Sequence, residues 1–285
     1  MANCLLGFPN RTDASTLSGG TWSATLPRSN LQNRVLGKVA RSTAATLAST
    51  QFDMDMATSK VVKMLALVNH NLSLSAKVRV RGSDVATFAT SVYDSGFLSV
   101  WPAVYGTTTL DWEEDTWWTG QYTDEQRAGY TAAYVLVLPT IARARYWRIE
   151  IDDTTNTAGY VQIGRVFIGS AWQPQLNMSY GASIGWETKT AAQEALGGAE
   201  YFQRRTPYRV QNISLNFMSL DEGFGNAFEI QRRAGIDAEV LWVFDPDDTL
   251  HALRRRYLGR LRELTAVQQP YFAAHSTAFS IKEIL

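Results

Sequence analysis

Segments with a two-residue period set the strongest limit on what this chain can fold into. Lys77 to Arg81 reads KVRVR, with Val78 and Val80 on one side and three cations on the other. Tyr146 to Ile151 (YWRIEI) and Tyr208 to Asn216 (YRVQNISLN) alternate in the same way, as do Gln51 to Met56 and Tyr134 to Leu138. Successive side chains of a strand point to opposite faces, so these segments predict strands with one wet and one buried face. Lys60 to His70 (KVVKMLALVNH) is a Leu-rich and β-branched run that ends in Asn-His-Asn, which predicts a buried strand leaving into a turn. Tyr160 to Ile168 (YVQIGRVFI) predicts another, with Gly164 as a bulge or a place of close approach. Glu239 to Phe244 reads as a buried strand stopped by Asp245-Pro246-Asp247-Asp248. Tyr257 to Leu264 and Ala278 to Leu285 are the last strands, the final one expected to be paired.

One helix stands out. Ser219 is placed to cap free backbone N–H groups, with Glu222 three residues later as a capping box requires. Phe224, Phe228, Ile230 and Ile236 form the expected apolar stripe, and Gly235 the C-cap. Residues 1 to 50, rich in Ser, Thr, Ala and Asn, read as loops and short strands, and Gly181 to Glu200 gives mixed signals. The strand series closes at Trp172-Gln173-Pro174. The expected architecture is therefore mainly β: a β-sandwich over 1–172, then a smaller β-domain over 173–285 with a helix near 220–235.

Bulk properties exclude several classes. The hydrophobic fraction, 45% of 285 residues, argues against wholesale disorder. The 27 basic and 27 acidic residues cancel, so the field expected of a dedicated nucleic-acid binder is missing. Cys4 stands alone, which excludes an internal disulfide and a thiol cluster for zinc. Met1 to Arg11 lacks a basic region followed by an apolar run, so no secretory signal is expected. No apolar stretch approaches the roughly 18 residues of a membrane-spanning helix.

No residue pattern assembles an active site. There is no G-x-S-x-G, no G-x-G-x-x-G and no Walker A lysine. His70, between Asn69 and Asn71, reads as a turn histidine rather than a general base, and Cys4 as part of a flexible N-terminus. Asp111, Glu113, Glu114 and Asp115 sit among Trp112, Trp117, Trp118, Tyr122 and Tyr130. Carboxylates beside aromatic platforms suit glycoside hydrolysis in composition, but a catalytic pair comes from separate rigid elements facing across a cleft. Neighbours on one loop fit ligand or partner binding better, by stacking and hydroxyl hydrogen bonds. Trp112, Glu113, Asp115, Trp117, Trp118 and Tyr122 are the candidate binding loop. Asp152-Asp153 and Asp245 to Asp248 lack EF-hand spacing and read as turns. The basic runs Arg204-Arg205 and Arg254 to Arg256, with Arg260 and Arg262, offer phosphate or acidic-partner contacts but fit the wet faces of strands. We expect no catalytic residue, metal or cofactor.

Some stretches carry a resemblance. Leu26 to Leu31 (LPRSNL), MLALVNHNLS at 64 to 73, AKVRVRGSD at 76 to 84, ARYWRIEIDD at 144 to 153 and GYVQIGRVFIG at 159 to 169 together resemble a discoidin-like (galactose-binding-like) jelly roll. GWETKTAAQEALGGAEYFQRRTPYR at 185 to 209, FEIQRRAG at 228 to 235, VLWVFDPDD at 240 to 248 and the end, YLGRLREL with STAFSIKEIL, resemble minor tail proteins of tailed bacteriophages, of the distal-tail, tail-tip or baseplate kind. The resemblance implies a tail-tube-like second domain and a non-catalytic virion protein made in the host bacterial cytoplasm. It implies a homo-oligomeric ring, hexamer or trimer, joining tail tube to tip, with tube, hub and fibre proteins as partners. The discoidin-like part would project outward, binding host-surface glycans in the alternative reading. Phe279, Ile281 and Ile284, on a terminal strand read as an edge, are the candidate oligomer interface.

Overall fold

The structure, a computed structural model, describes residues 2–106 and 108–285. Its principal strands are β1 (Leu5–Asn10), β2 (Phe52–His70), β3 (Lys77–Ser83), β4 (Ala133–Asp152), β5 (Gln162–Trp172), β6 (Ser183–Glu187), β7 (Ala191–Glu194), β8 (Glu200–Gln203), β9 (Tyr208–Met218), β10 (Glu239–Val243), β11 (Arg256–Leu261) and β12 (Ala274–Glu283). The chain is mainly β, built on one antiparallel sheet ordered β6-β9-β12-β11-β10-β1-β5-β2-β4-β3. Among the described residues only β7 and β8 stand apart, as a two-stranded hairpin.

The expected strands are present, but several are continuous. Gln51 to Met56 and Lys60 to His70 are two parts of β2, and Tyr134 to Leu138 and Tyr146 to Ile151 two parts of β4. The register between them slips at Asp55/Lys60 and again at Val62/Met64, and Ala57 takes a positive φ of 62°. Such irregularities bend a ribbon without ending it. Both parts feed one core: Phe52, Met54, Leu65 and Leu67 of β2 join Trp147, Ile149, Val166, Ile168, Val78 and Val80. The bent ribbon thus forms both layers of a sandwich.

Met64, Ala66 and Val68, on the opposite face of β2, enter a second core with Leu5, Phe167, Leu241, Val243 and Leu258. A strand buried on both faces loses its alternation, which is why MLALV reads as an unbroken apolar run. Each buried Val, Leu, Met or Phe among them contributes about 1.5–3 kcal/mol by leaving water. Gly164 is a place of close approach, since a Cβ there would lie 2.6 Å from the Leu36 carbonyl oxygen.

The two parts of the chain meet along β1. One edge of β1 pairs with β10 (Leu5 opposite Val243) and the other with β5 (Leu6 opposite Trp172). Beside this seam Arg165, fully buried, donates from Nε and Nη2 to Glu239 at 2.8–3.0 Å and contacts Asp13.

The helix differs from expectation. Its capping box forms: Glu222 N donates to Ser219 Oγ at 3.3 Å and Ser219 N to Glu222 Oε2 at 3.4 Å. Yet Asp221–Phe228 is a π-helix, followed by α-helix over Glu229–Ala234. The wider π turn shifts the phase, so Gly223, Ala227, Ile230 and Ala234 face inward, whereas Phe224, Phe228 and Ile236 are about half exposed. Only Ile230 of the expected stripe is buried.

The seam gives a direct test. Glu239→Ala leaves the Arg165 cation buried with Asp13 as its one remaining carboxylate among the described residues, and urea unfolding is expected to show a loss of about 3 kcal/mol or more. Arg165→Met combined with Glu239→Leu is expected to lose far less.

Candidate functional site

The loop between Val100 and Ala133 joins β3 and its small partner strands to β4. Its base is fixed by polar side chains spent on backbone groups. Trp101 Nε1 donates to the Leu72 carbonyl at 3.2 Å, and Gln121 Nε2 to the Leu74 carbonyl at 3.0 Å. Thr123 and Gln126 form a reciprocal capping box at 3.2 Å each. Gly120 has φ +61° and lies where a Cβ would come 2.5 Å from the Tyr105 carbonyl oxygen, so only glycine fits this turn.

Above that base stands an exposed tip. Asp111, Trp112, Glu113, Glu114, Asp115 and Trp118 are all exposed, Trp112 at 76% and Trp118 at 86%. Trp117 lies half-buried, its ring edge-on to Trp118 with centroids 4.6 Å apart. An indole this exposed is unusual in a folded chain. Of the six candidate binding residues, the structure therefore brings Trp112, Glu113, Asp115, Trp117 and Trp118 to one tip. Tyr122 is separate: it is buried and its hydroxyl donates to the Leu250 carbonyl oxygen, holding the loop against the C-terminal half. The four carboxylates share this one exposed loop; among the described residues no group of three His, Cys, Asp or Glu side chains converges as metal ligands do.

Other candidates take structural positions. Phe279, Ile281 and Ile284 are buried within the subunit, and β12 is hydrogen-bonded by β9 on one side and β11 on the other. They therefore do not form an edge. The open edge on that side of the sheet is β6, where Ile184 and Trp186 are exposed. Cys4 is not in a flexible tail but buried beside Leu6 and Trp242, and burial pushes its thiol up to about 12. Asp245 accepts from Asp247 N at 3.0 Å, and Asp153 from Asn156 Nδ2 at 2.7 Å, as turn-forming acids do. Arg256 donates to the carbonyls of Pro246 and Asp248, closing the turn after β10. Among the described residues no helix is long and apolar enough to cross a membrane.

Two features escaped sequence reasoning. The loop base and Thr249 to Arg256 enclose a cleft of about 190 Å³, lined by Trp101, Tyr122, Tyr134 and Leu253. Its walls are more than a hundred residues apart in the chain, so no local pattern announces it. The second is the β7–β8 hairpin, exposed throughout. A two-residue period was legible there only weakly, because neither face is buried and nothing forces alternation.

No protein-family model matches the chain, and no curated protein does. Similar solved structures include the lectin domain of lectinolysin complexed with Lewis B antigen, at 13% identity over 57% of this chain and 96% of that one, with a TM-score of 0.37. A carbohydrate-binding module, CBM32-1 from a family 31 glycoside hydrolase of Clostridium perfringens, shares 10% identity over 57% and 99%, with a TM-score of 0.37. A fucose-binding module of Streptococcus pneumoniae shares 12% over 56% and 94%, with a TM-score of 0.36. All these TM-scores lie below 0.5, so the mainly β assignment rests on the strand pairing above.

The loop base also holds a titratable probe. His70 is buried against Trp101, ring centroids 5.8 Å apart, and its Nδ1 accepts from Leu72 N at 3.3 Å. Burial, aided by the nearby Arg127 cation, pushes it down to about 3. The unfolded imidazole takes a proton near pH 6.5 and the folded one only near 3, so this group disfavours the folded state increasingly as pH falls below 6.5. His70→Gln is expected to flatten the loss of stability between pH 6.5 and 4.5, measured by urea unfolding at stepped pH, though it lowers stability at pH 8.

Proposed function

We propose that this chain is a non-catalytic assembly subunit of a bacteriophage tail, of the distal-tail or tip kind. In this reading it forms a ring with copies of itself and contacts other tail proteins through its C-terminal half. The observation that carries the reading is the β7–β8 hairpin. Ala191 to Pro207 are all exposed, including Leu196, Tyr201 and Phe202, and the hairpin pairs with no other strand among the described residues. A lone two-stranded hairpin is marginal in water, and apolar side chains on it gain from cover by another chain. It grows from β6, the open edge, where a neighbour's strand can extend the sheet. Exposed Phe217, Phe224, Phe228, Tyr271 and Phe272 add apolar surface to the same half, Phe217 and Tyr271 stacked at 5.7 Å. The sequence resemblance supplies the phage context.

A second reading rests on a different observation, the paired exposure of Trp112 and Trp118 beside Glu113 and Asp115. Indole faces stack on sugar rings and carboxylates accept from sugar hydroxyls, so this tip suits a host-surface polysaccharide. The two readings are compatible on one molecule, since the tip and the hairpin lie on different parts of the chain.

Replacing residues 191–203 with a short Gly-Ser turn is expected to leave a folded monomer that no longer assembles, read by size-exclusion chromatography and electron microscopy. Unchanged assembly would rule the hairpin out, and a wild-type chain that stays monomeric alongside its tail partners would rule out the ring. For the tip, Trp112→Ala and Trp118→Ala are expected to shift stability by no more than about 0.5 kcal/mol. They should abolish polysaccharide binding on a glycan array probed with the intact assembly; an array without hits for the wild type would retire this reading.

A further inference from the structure

A groove of about 600 Å³ opens where the ends of β11 and β12 meet the start of β9 and the stem of the hairpin. Lys189, Arg205, Arg260 and Lys282 line it together with Tyr208, Thr206, the acid Glu283 and the last two residues of the chain. Strand pairing brings the cations together. Arg260 of β11 lies directly opposite Lys282 of β12, while Lys282 faces Val210 of β9 across its other edge. Tyr208, two residues before Val210, therefore shares that face. The Lys282 ammonium sits 4.2 Å from the Tyr208 ring centroid. Lys189 and Arg205 enter from the two stems of the hairpin.

Like charges placed directly opposite in an antiparallel pair destabilise a sheet. Fold stability therefore gives no reason for Arg260 to face Lys282. Neutralisation is only partial: Glu187 attracts Lys282, but the Lys189 and Arg260 cations repel it more strongly. Glu283 is turned inward to the buried guanidinium of Arg209, and Glu187 is held by Arg262 at 2.6 Å. The Lys282 ammonium is held below the usual lysine value, first by burial and then by the nearby Lys189 and Arg260 cations. On an ordinary wet strand face, by contrast, cations spread out or find carboxylates, as Arg79 does with Asp94 and Arg148 with Asp53.

We propose that this groove binds a multiply charged oxyanion of the phosphate or sulfate type, with Arg260 and Lys282 as its floor and Lys189 and Arg205 closing over it. Arg260 and Arg205 supply planar forks that match tetrahedral oxyanions, and the lysines supply point charges. The groove is larger than a single phosphate, so the ligand is a linked series of such groups or one such group on a larger carrier.

The test uses the full chain and tripolyphosphate as probe, by isothermal titration calorimetry at low salt, with sulfate and citrate in parallel. Tripolyphosphate is expected to bind, and to bind at least tenfold more tightly than citrate, about 1.4 kcal/mol. Arg260→Gln and Lys282→Gln should each weaken it about tenfold, whereas Arg143→Gln, which removes an exposed charge outside the groove, should not. Without ligand, the two groove variants should melt at a higher temperature than wild type, because a like-charge contact is gone; this readout separates lost binding from lost folding. Sulfate binding of similar strength would mark the site as general for oxyanions, and much weaker sulfate binding as selective for phosphate. Absence of heat with both tripolyphosphate and sulfate, equal affinity for citrate, or an equal effect of Arg143→Gln would overturn the proposal.

Discussion

Pairing of β1 on both of its edges is the constraint from which the rest of this architecture follows. A six-residue strand hydrogen-bonds β5 of the sandwich on one side and β10 of the C-terminal half on the other. Remove it and each half presents a bare strand edge where the sheet now continues. The Leu5 side chain enters the core shared with Met64 and Leu241, and Leu6 the core built around Trp242 and Phe279. The Arg165–Glu239 pair lies along the same seam, where breaking one partner strands a charge away from water. Hydrogen bonding, apolar burial and charge pairing thus all act across one line.

That seam decides which surfaces are left for other work. The terminal strand β12, paired on both sides, is consumed by the fold, so its apolar residues serve the core. Openness passes to β6 and the hairpin beyond it. The loop from Val100 to Ala133 is likewise divided. Its base is fixed by Trp101, Gln121 and Tyr122, while its tip keeps two indoles and four carboxylates in water. A fixed base beneath an exposed aromatic tip lowers the ordering entropy that a ligand must overcome. The groove at Lys282 follows another rule: there, strand register, rather than loop geometry, forces cations into one concavity.

Most strands were legible because burial on one face or both leaves a pattern in the sequence. The alternation of KVRVR and the unbroken MLALV both survive as one wet and one doubly buried strand. The continuity of β2 across Asp55 to Lys60 was not legible, because the irregularity breaks the period, although pairing with β4 resumes beyond it at Lys60. The helix was found through its capping box, but its apolar stripe was misplaced. A period of 3.6 residues does not describe a π-helix, and Phe224 and Phe228 turn outward as a result. Cys4 looked like part of a loose terminus because nothing local shows that Leu5 and Leu6 have partners more than 160 residues away.

The aromatic and acidic character of residues 111–118 was set by the sequence alone, as were the predominance of β structure and the absence of nucleophile and phosphate-loop motifs. These are local properties, fixed by side-chain type and two-residue spacing. Which edge stays open, which aromatics reach solvent and which cations meet were decided only by tertiary structure. The open edge and the meeting of cations depend on register between strands far apart in the chain, where a single-residue slip would send those side chains to the opposite face. The exposed indoles depend on how distant backbone groups fix the loop base.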